Sequence, residues 1–220
     1  MALPANIAHE IVETGRLLYE RGLITGSAGN ISVRLDEDRV LVTPSGLCKG
    51  RLEPDDLVLV DIDGRQIEGH HAASSELPMH LHIYRGRSDI QACVHSHAPY
   101  ATSFAIAGTQ LPDNILPEVV LFVGSIALTE YAPPGTDAVG QSLEPSLKSG
   151  NAFLLRNHGL LTVGGSLEKA LYRHETVEQY ARIVHLARQL GKVDSIPAED
   201  IERLERIRQR MDMEKSGGLQ

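Results

Sequence analysis

Ala92-Cys93-Val94-His95-Ser96-His97-Ala98-Pro99-Tyr100 reads as a strand that runs into a helix. Ala92 to His95 form a short apolar run of the kind a buried strand needs, and a helix is expected from about Pro99 to Ala107. Between them stands His95-Ser96-His97. On a strand, residues i and i+2 point to the same face. Two imidazoles so spaced can grip one metal ion, and a third donor completes a catalytic zinc site with a position left for substrate. The best third donor is His158, in Asn157-His158-Gly159, a tight turn between the apolar runs Ala152–Leu155 and Leu160–Val163. A His-x-His pair is a weak signal in a chain with ten histidines. His80 and His82 share the spacing, but they fall in an expected helix, where i and i+2 diverge. His70 and His71 read as exposed loop residues, and His9, His174 and His185 as helix residues on the surface or in the core.

Working outward, Ala5–Arg21 carries Ile7, Ile11, Leu17 and Leu18 on one helical face and stops at Gly22. Short β-type runs follow at Ile31–Val33, Val40–Val42 and Leu57–Val60, and Asp61-Ile62-Asp63-Gly64 is a hairpin turn into Gln66-Ile67. A helix is expected over Ser75–Tyr84, and strands over Val119–Val123 and Ile126–Thr129. Thr136 is placed to cap a helix from Asp137 to Leu147. Ser166–Leu190 is the longest helix, with Ser166 as N-cap and Gly191 as C-cap. Strands in the middle with helices interspersed, joined by short hairpin-like connections, point to an α/β sandwich with a largely antiparallel sheet. One domain over residues 1–220 is expected, with its core at about 5–190 and a charged C-terminal helix and flexible tail over 198–220.

Composition bounds the function. The formal net charge of -8 argues against a general binder of nucleic acid or acidic membranes. No apolar run approaches the ~20 residues of a membrane-spanning helix. Met1–Glu10 has no basic stretch followed by an apolar one, so no signal peptide is expected. Cys48 and Cys93 lack C-x-x-C spacing and read as free reduced thiols without a catalytic role. A cytoplasmic location is the default expectation from these readings.

Three further segments have two readings each. Ser74-Ser75-Glu76 at a helix start is either a plain N-cap or an anion site built from hydroxyls and free N–H groups. The loops Gly29-Asn30 and Thr43-Pro44-Ser45-Gly46 are either turns or cradles whose N–H groups meet phosphate oxygens.

Taken in order, Gly29-Asn30-Ile31-Ser32, Thr43-Pro44-Ser45-Gly46, Ser74-Ser75-Glu76, His95-Ser96-His97-Ala98-Pro99-Tyr100, Tyr131-Ala132-Pro133-Pro134-Gly135-Thr136 and Asn157-His158-Gly159 resemble the class II aldolase/epimerase family that includes L-fuculose-1-phosphate aldolase. The likeness is collinear from about Ala8 to Leu190. It implies a three-layer sandwich, a mainly antiparallel sheet between helical layers. It implies zinc, or manganese or cobalt, on His95, His97 and His158, with Glu76 as acid/base. It implies a phosphate pocket at Asn30, Ser45, Gly46, Ser74 and Ser75 beside Gly29, and a homotetramer with active sites between subunits. The implied reaction is reversible aldol cleavage of a phosphorylated (deoxy)ketose, through a metal-stabilised enediolate, to dihydroxyacetone phosphate and an aldehyde. A decarboxylase of a phosphorylated 3-oxo sugar acid, or a pentulose-phosphate epimerase, is the alternative on the same scaffold. The family's epimerases usually carry aspartate where Glu76 stands, and its adducin-type head domains lose the metal site. The expected tyrosine after the second histidine is missing from Leu111–Glu118, which leaves Glu118 as a candidate acid for the neighbouring subunit's site. No aromatic residue follows Tyr180, so an aromatic C-terminal lid is not expected.

Overall fold

The computed structural model describes residues 4–217, with side chains through Met211. Its centre is an eight-stranded sheet of β1 (Asn30–Arg34), β2 (Arg39–Val42), β3 (Val58–Asp61), β4 (Gln66–Glu68), β5 (Ala92–Ser96), β6 (Ile126–Leu128), β7 (Ala152–Leu155) and β8 (Gly159–Gly164). Their order across the sheet is β4-β3-β2-β1-β5-β8-β7-β6. Every pairing is antiparallel except β6 with β7. Among the described residues six α-helices surround it: α1 (Ala5–Glu20), α2 (Leu77–Gly86), α3 (Pro99–Ala107), α4 (Asp137–Leu147), α5 (Leu167–Leu190) and α6 (Ala198–Gly217). No helix among the described residues is long and apolar enough to cross a membrane.

The three layers follow from period-2 alternation in strands that are apolar on both faces. Ile31, Leu41, Leu59, Val94, Leu154 and Leu160 point to one side, where Ile11 and Leu18 of α1, Phe104 of α3 and Leu171, Val177 and Val184 of α5 complete a core. Val42, Val58, Cys93, Phe153, Leu161 and Val163 point to the other, against Met79 and Ile83 of α2 and Val139 and Leu143 of α4. β5 and β8 are buried along their whole length because both cores meet on them. Buried Cys93 keeps its thiol protonated, burial pushing it up to about 12.

Three expectations need correction. Val119–Val123 is one turn of π-helix, not a strand. The Gly124 N–H closes it on the Val119 carbonyl at 2.8 Å, with Gly124 at φ 83. Val119, Val120 and Val123 are buried and Phe122 is exposed, a helical spacing that tertiary packing imposes on β-branched residues. The Thr136 hydroxyl does not cap α4; it donates to the Pro133 carbonyl at 2.7 Å. α2 starts at Leu77, so Ser74, Ser75 and Glu76 lie ahead of it. The C-terminal helix takes up most of the segment read as helix and flexible tail, running to Gly217; residues 218–220 lie outside the described residues. Ser166 caps α5 as expected, its hydroxyl accepting from Lys169 N at 3.2 Å.

Candidate metal centre

Alternation along β5 sends His95 to the same side of the sheet as Cys93, toward α2, and Ser96 to the side of α5. The β7–β8 turn brings His158 beside His95. Asn157 takes the left-handed conformation there at φ 55, which asparagine tolerates better than most residues. A Cβ on Gly159 would lie 2.5 Å from the Ser96 carbonyl oxygen and 2.9 Å from His97 Cδ2. Only glycine lets the turn close on the His-x-His segment. The three imidazole centroids are 4.7 to 5.4 Å apart, and one ligand nitrogen from each lies within 4.8 Å of the others. β5 ends at Ser96, so His97 reaches the cluster from the turn into α3 and not from the strand. It is exposed where His95 is buried.

The donor set fits a divalent transition metal. His95 Nδ1 lies 2.9 Å from the Leu160 carbonyl, which can only accept, so the proton sits on Nδ1 and Nε2 presents its lone pair inward. That Nε2 is buried without a hydrogen-bond partner, and Glu76 Oε2 stands 3.2 Å from it. Two lone pairs facing each other at this distance call for a cation between or beside them. His158 Nε2 is 2.8 Å from Glu76 Oε1. Although the residue is exposed, partial desolvation of its ring at the cluster, then the neighbouring imidazoles of His95 and His158, push His97 down to about 4, so it is neutral and able to ligate at neutral pH. Burial alone would raise the Glu76 carboxyl; the adjacent imidazoles, His158 first and then His95, outweigh it and hold Glu76 below the ordinary range.

Glu76 is the residue before α2, its backbone N–H bonded to Ser74 Oγ at 3.3 Å. Asn30, paired with His95 in register, donates from Nδ2 to Glu76 Oε2 at 2.7 Å. Gly29, at φ 74, lies so close to the His95 carbonyl oxygen that a Cβ would be 2.7 Å from it. A bridge between Pro44 and Ala73, with Ser45 N donating to Ala72 O and Ser74 N to Thr43 O, ties the Ser45-Gly46 loop to the Ser74-Ser75 loop. Gly29, Asn30, Ser45, Gly46, Ser74 and Ser75 thus belong to linked segments around Glu76. Glu118 does not join them: it is exposed at the start of the π-turn, with no hydrogen bond or ion pair to Glu76 or the three histidines among the described residues. Among basic residues near these motifs in sequence, Lys49 is buried, Arg51 is exposed, and Arg156 places its guanidinium beside Gly108 at the far end of α3.

Two supports of this centre were not legible as such. Ser96 Oγ lies 2.6 Å from His174 Nε2, and His174 Nδ1 lies 3.1 Å from Thr162 Oγ1, a buried chain behind the strand that carries His95. Burial pushes His174 down to about 3, so the chain is neutral. Glu178, one turn further along α5, accepts from the N–H groups of Tyr100 and Ala101 at 2.9 and 2.8 Å, satisfying free donors at the start of α3 just after His97. Glu178→Ala is expected to cost about 2 kcal/mol of stability, read as a lower urea midpoint, with Glu178→Gln losing less. An unchanged midpoint would remove Glu178 from this role. His80 turns inward to Ser32 Oγ at 2.7 Å while His82 bonds Glu144, so the second His-x-His pair diverges as a helix requires.

The comparisons with known proteins agree with this geometry. Residues 9–185 match the family described as Class II Aldolase and Adducin N-terminal domain. The chain is 37% identical over 177 residues to a 3-oxo-tetronate 4-phosphate decarboxylase of Haemophilus influenzae, covering 79% of this chain and 84% of that one. It is 34% identical over 197 residues to a 5-deoxy-D-ribulose 1-phosphate aldolase of Bacillus thuringiensis, covering 89% and 92%. A solved L-fuculose 1-phosphate aldolase superposes with a TM-score of 0.86 at 32% identity, covering 94% of this chain and 97% of that one. With its eight-stranded sheet, its three-histidine cluster and a family match spanning most of its length, the chain belongs to the class II aldolase and adducin N-terminal domain family.

Proposed function

We propose that this protein is a zinc-dependent aldolase that reversibly cleaves a phosphorylated (deoxy)ketose to dihydroxyacetone phosphate and an aldehyde. The observation that carries the reading is Glu76, a carboxylate held by Asn30 against two imidazoles of a three-histidine cluster. A divalent ion on His95, His97 and His158 supplies Lewis-acid polarisation of the substrate carbonyl; zinc is the expected ion, with manganese or cobalt compatible with three imidazoles. Glu76 delivers a proton to the carbon left electron-rich when the carbon–carbon bond breaks, and removes it in the reverse direction. The ionised form that its surroundings favour is the form that removes it. Asn30, Ser45, Gly46, Ser74 and Ser75, with Gly29 allowing the close approach, offer neutral N–H and O–H donors to the phosphate. An acidic chain can hold a phosphate ester this way.

Oligomeric state enters the same reading. A homotetramer with sites between subunits would give exposed Glu118 a role as an acid in a neighbouring site. Free Cys48 and Cys93 suit the reducing cytoplasm.

The alternative is decarboxylation of a phosphorylated 3-oxo sugar acid, with carbon dioxide leaving in place of the aldehyde. The 37% identity to a protein named for that reaction favours it, as does the lack of tyrosine over Leu111–Glu118. An epimerase is less well supported, because Glu76 stands where aspartate is usual. The test is product identity from a panel of ketose 1-phosphates and a 3-oxo acid phosphate, with chelator controls. Dihydroxyacetone phosphate release that chelator abolishes is the expected result. Carbon dioxide release alone would replace the aldolase reading with the decarboxylase.

A further inference from the structure

Lys49 is the only lysine or arginine among the described residues whose side chain is buried, at 2% exposure. Its Nζ donates to the Ser27 carbonyl at 2.9 Å and to the Leu47 carbonyl at 2.8 Å. Ser27 belongs to the loop that ends in Gly29-Asn30, and Leu47 follows Ser45-Gly46. One ammonium therefore joins the backs of the two small-residue loops read above as phosphate donors. The main chain at Lys49 cannot swing away. A Cβ on Gly15 of α1 would lie 2.4 Å from the Lys49 carbonyl oxygen, and a Cβ on Gly50 would lie 2.3 Å from the Tyr19 ring. These two glycines seat the Lys49–Arg51 turn directly on α1.

No carboxylate forms an ion pair with Lys49 among the described residues. Burying a cation costs several kcal/mol unless an opposite charge compensates it. Two carbonyls do so only in part, and a neutral amide donor would join the same loops without that cost. A charge retained here favours anions placed on the two loops it joins. Burial lowers the Lys49 ammonium, and Cys48 and then Glu76 oppose the shift, so the Glu76 carboxylate is one anion already within its electrostatic reach.

We infer that Lys49 is a specificity-determining positioning residue: from behind the two loops, its buried charge selects a dianionic phosphate ester over a neutral or singly charged group of the same shape. The inference rests on the phosphate reading under Proposed function. It goes beyond that reading by assigning the charge discrimination to a residue outside the donor set. The effect runs through the field of the ammonium and the placement of the two loops, with no contact to the ligand required.

The test compares methyl phosphate, a dianion at pH 8, with methyl sulfate, a monoanion of similar shape, by calorimetric titration. The unmodified protein is expected to bind methyl phosphate at least about tenfold more tightly. In Lys49→Gln, which keeps N–H donors but no charge, that ratio should fall to about one, with methyl phosphate affinity down about tenfold and metal content unchanged. Lys49→Met should give the same ratio at lower thermal stability. Equal binding of the two probes by the unmodified protein overturns the inference, a result that needs no variant to fold. So does a Lys49→Gln protein that keeps the preference, which would leave Lys49 a loop staple and the phosphate pocket intact. If the unmodified protein binds neither probe, the phosphate reading itself falls, and this inference with it.

Discussion

Glu76→Gln is expected to lower turnover by about 10²–10⁴-fold while the protein keeps its metal and its affinity for methyl phosphate. Glutamine has nearly the same shape and can still meet Asn30, so the loops and α2 should stay in place. What it loses is the ability to take and return a proton. It also loses the negative charge that faces His95 and His158 at 3.2 and 2.8 Å. Metal content, measured by atomic absorption, separates the two losses. Full metal with slow turnover assigns the proton to Glu76. A near-normal rate would remove Glu76 from the chemistry and leave it a neighbour of the cluster. Exchange of the carbon-bound proton of dihydroxyacetone phosphate with deuterated solvent reads the same step without an aldehyde, and it should fall in parallel.

His97→Ala is expected to lose metal and activity together. Among the three histidines it is the cleanest to remove, because it is exposed and lies beyond the end of β5. His95 is fully buried with its Nδ1 on the Leu160 carbonyl, so replacing it would damage the sheet as well as the centre. Loss of an outer partner of a metal ligand costs about 10–100-fold in metal affinity, and loss of a ligand should exceed that. Competition with a chelating dye measures the loss, and circular dichroism confirms that the fold survives. A variant with full metal occupancy and wild-type affinity would dissolve the three-histidine centre.

Of the candidate site, Glu76, His95, His97 and His158 were legible because motif spacing and order along the chain carry them, and the structure brings those four side chains together. The strand argument for His95 and His97 held for only one of the pair, since β5 stops at Ser96 and a turn supplies the second imidazole. Glu118 shows the opposite case. Its role was inferred from what was missing nearby and concerns a neighbouring subunit's site; within one chain it is exposed.

By itself, the sequence determined the two-sided apolar alternation of the strands, hence a sheet covered on both faces. It also determined the longest helix and its serine cap and the turn at Asn157-His158-Gly159. These are local consequences of periodicity and backbone preference. Tertiary structure alone decided the π-turn over Val119–Val123, where packing overrode β-branched propensity, and the Glu178 carboxylate at the start of α3. It alone decided the chain from Ser96 through His174 to Thr162, and the burial of Lys49 behind two loops. The Glu178 and His174 contacts and the Lys49 bond to Ser27 join residues far apart in sequence, where strand register and helix docking set the distance, and the π-turn is local but imposed by the packing around it.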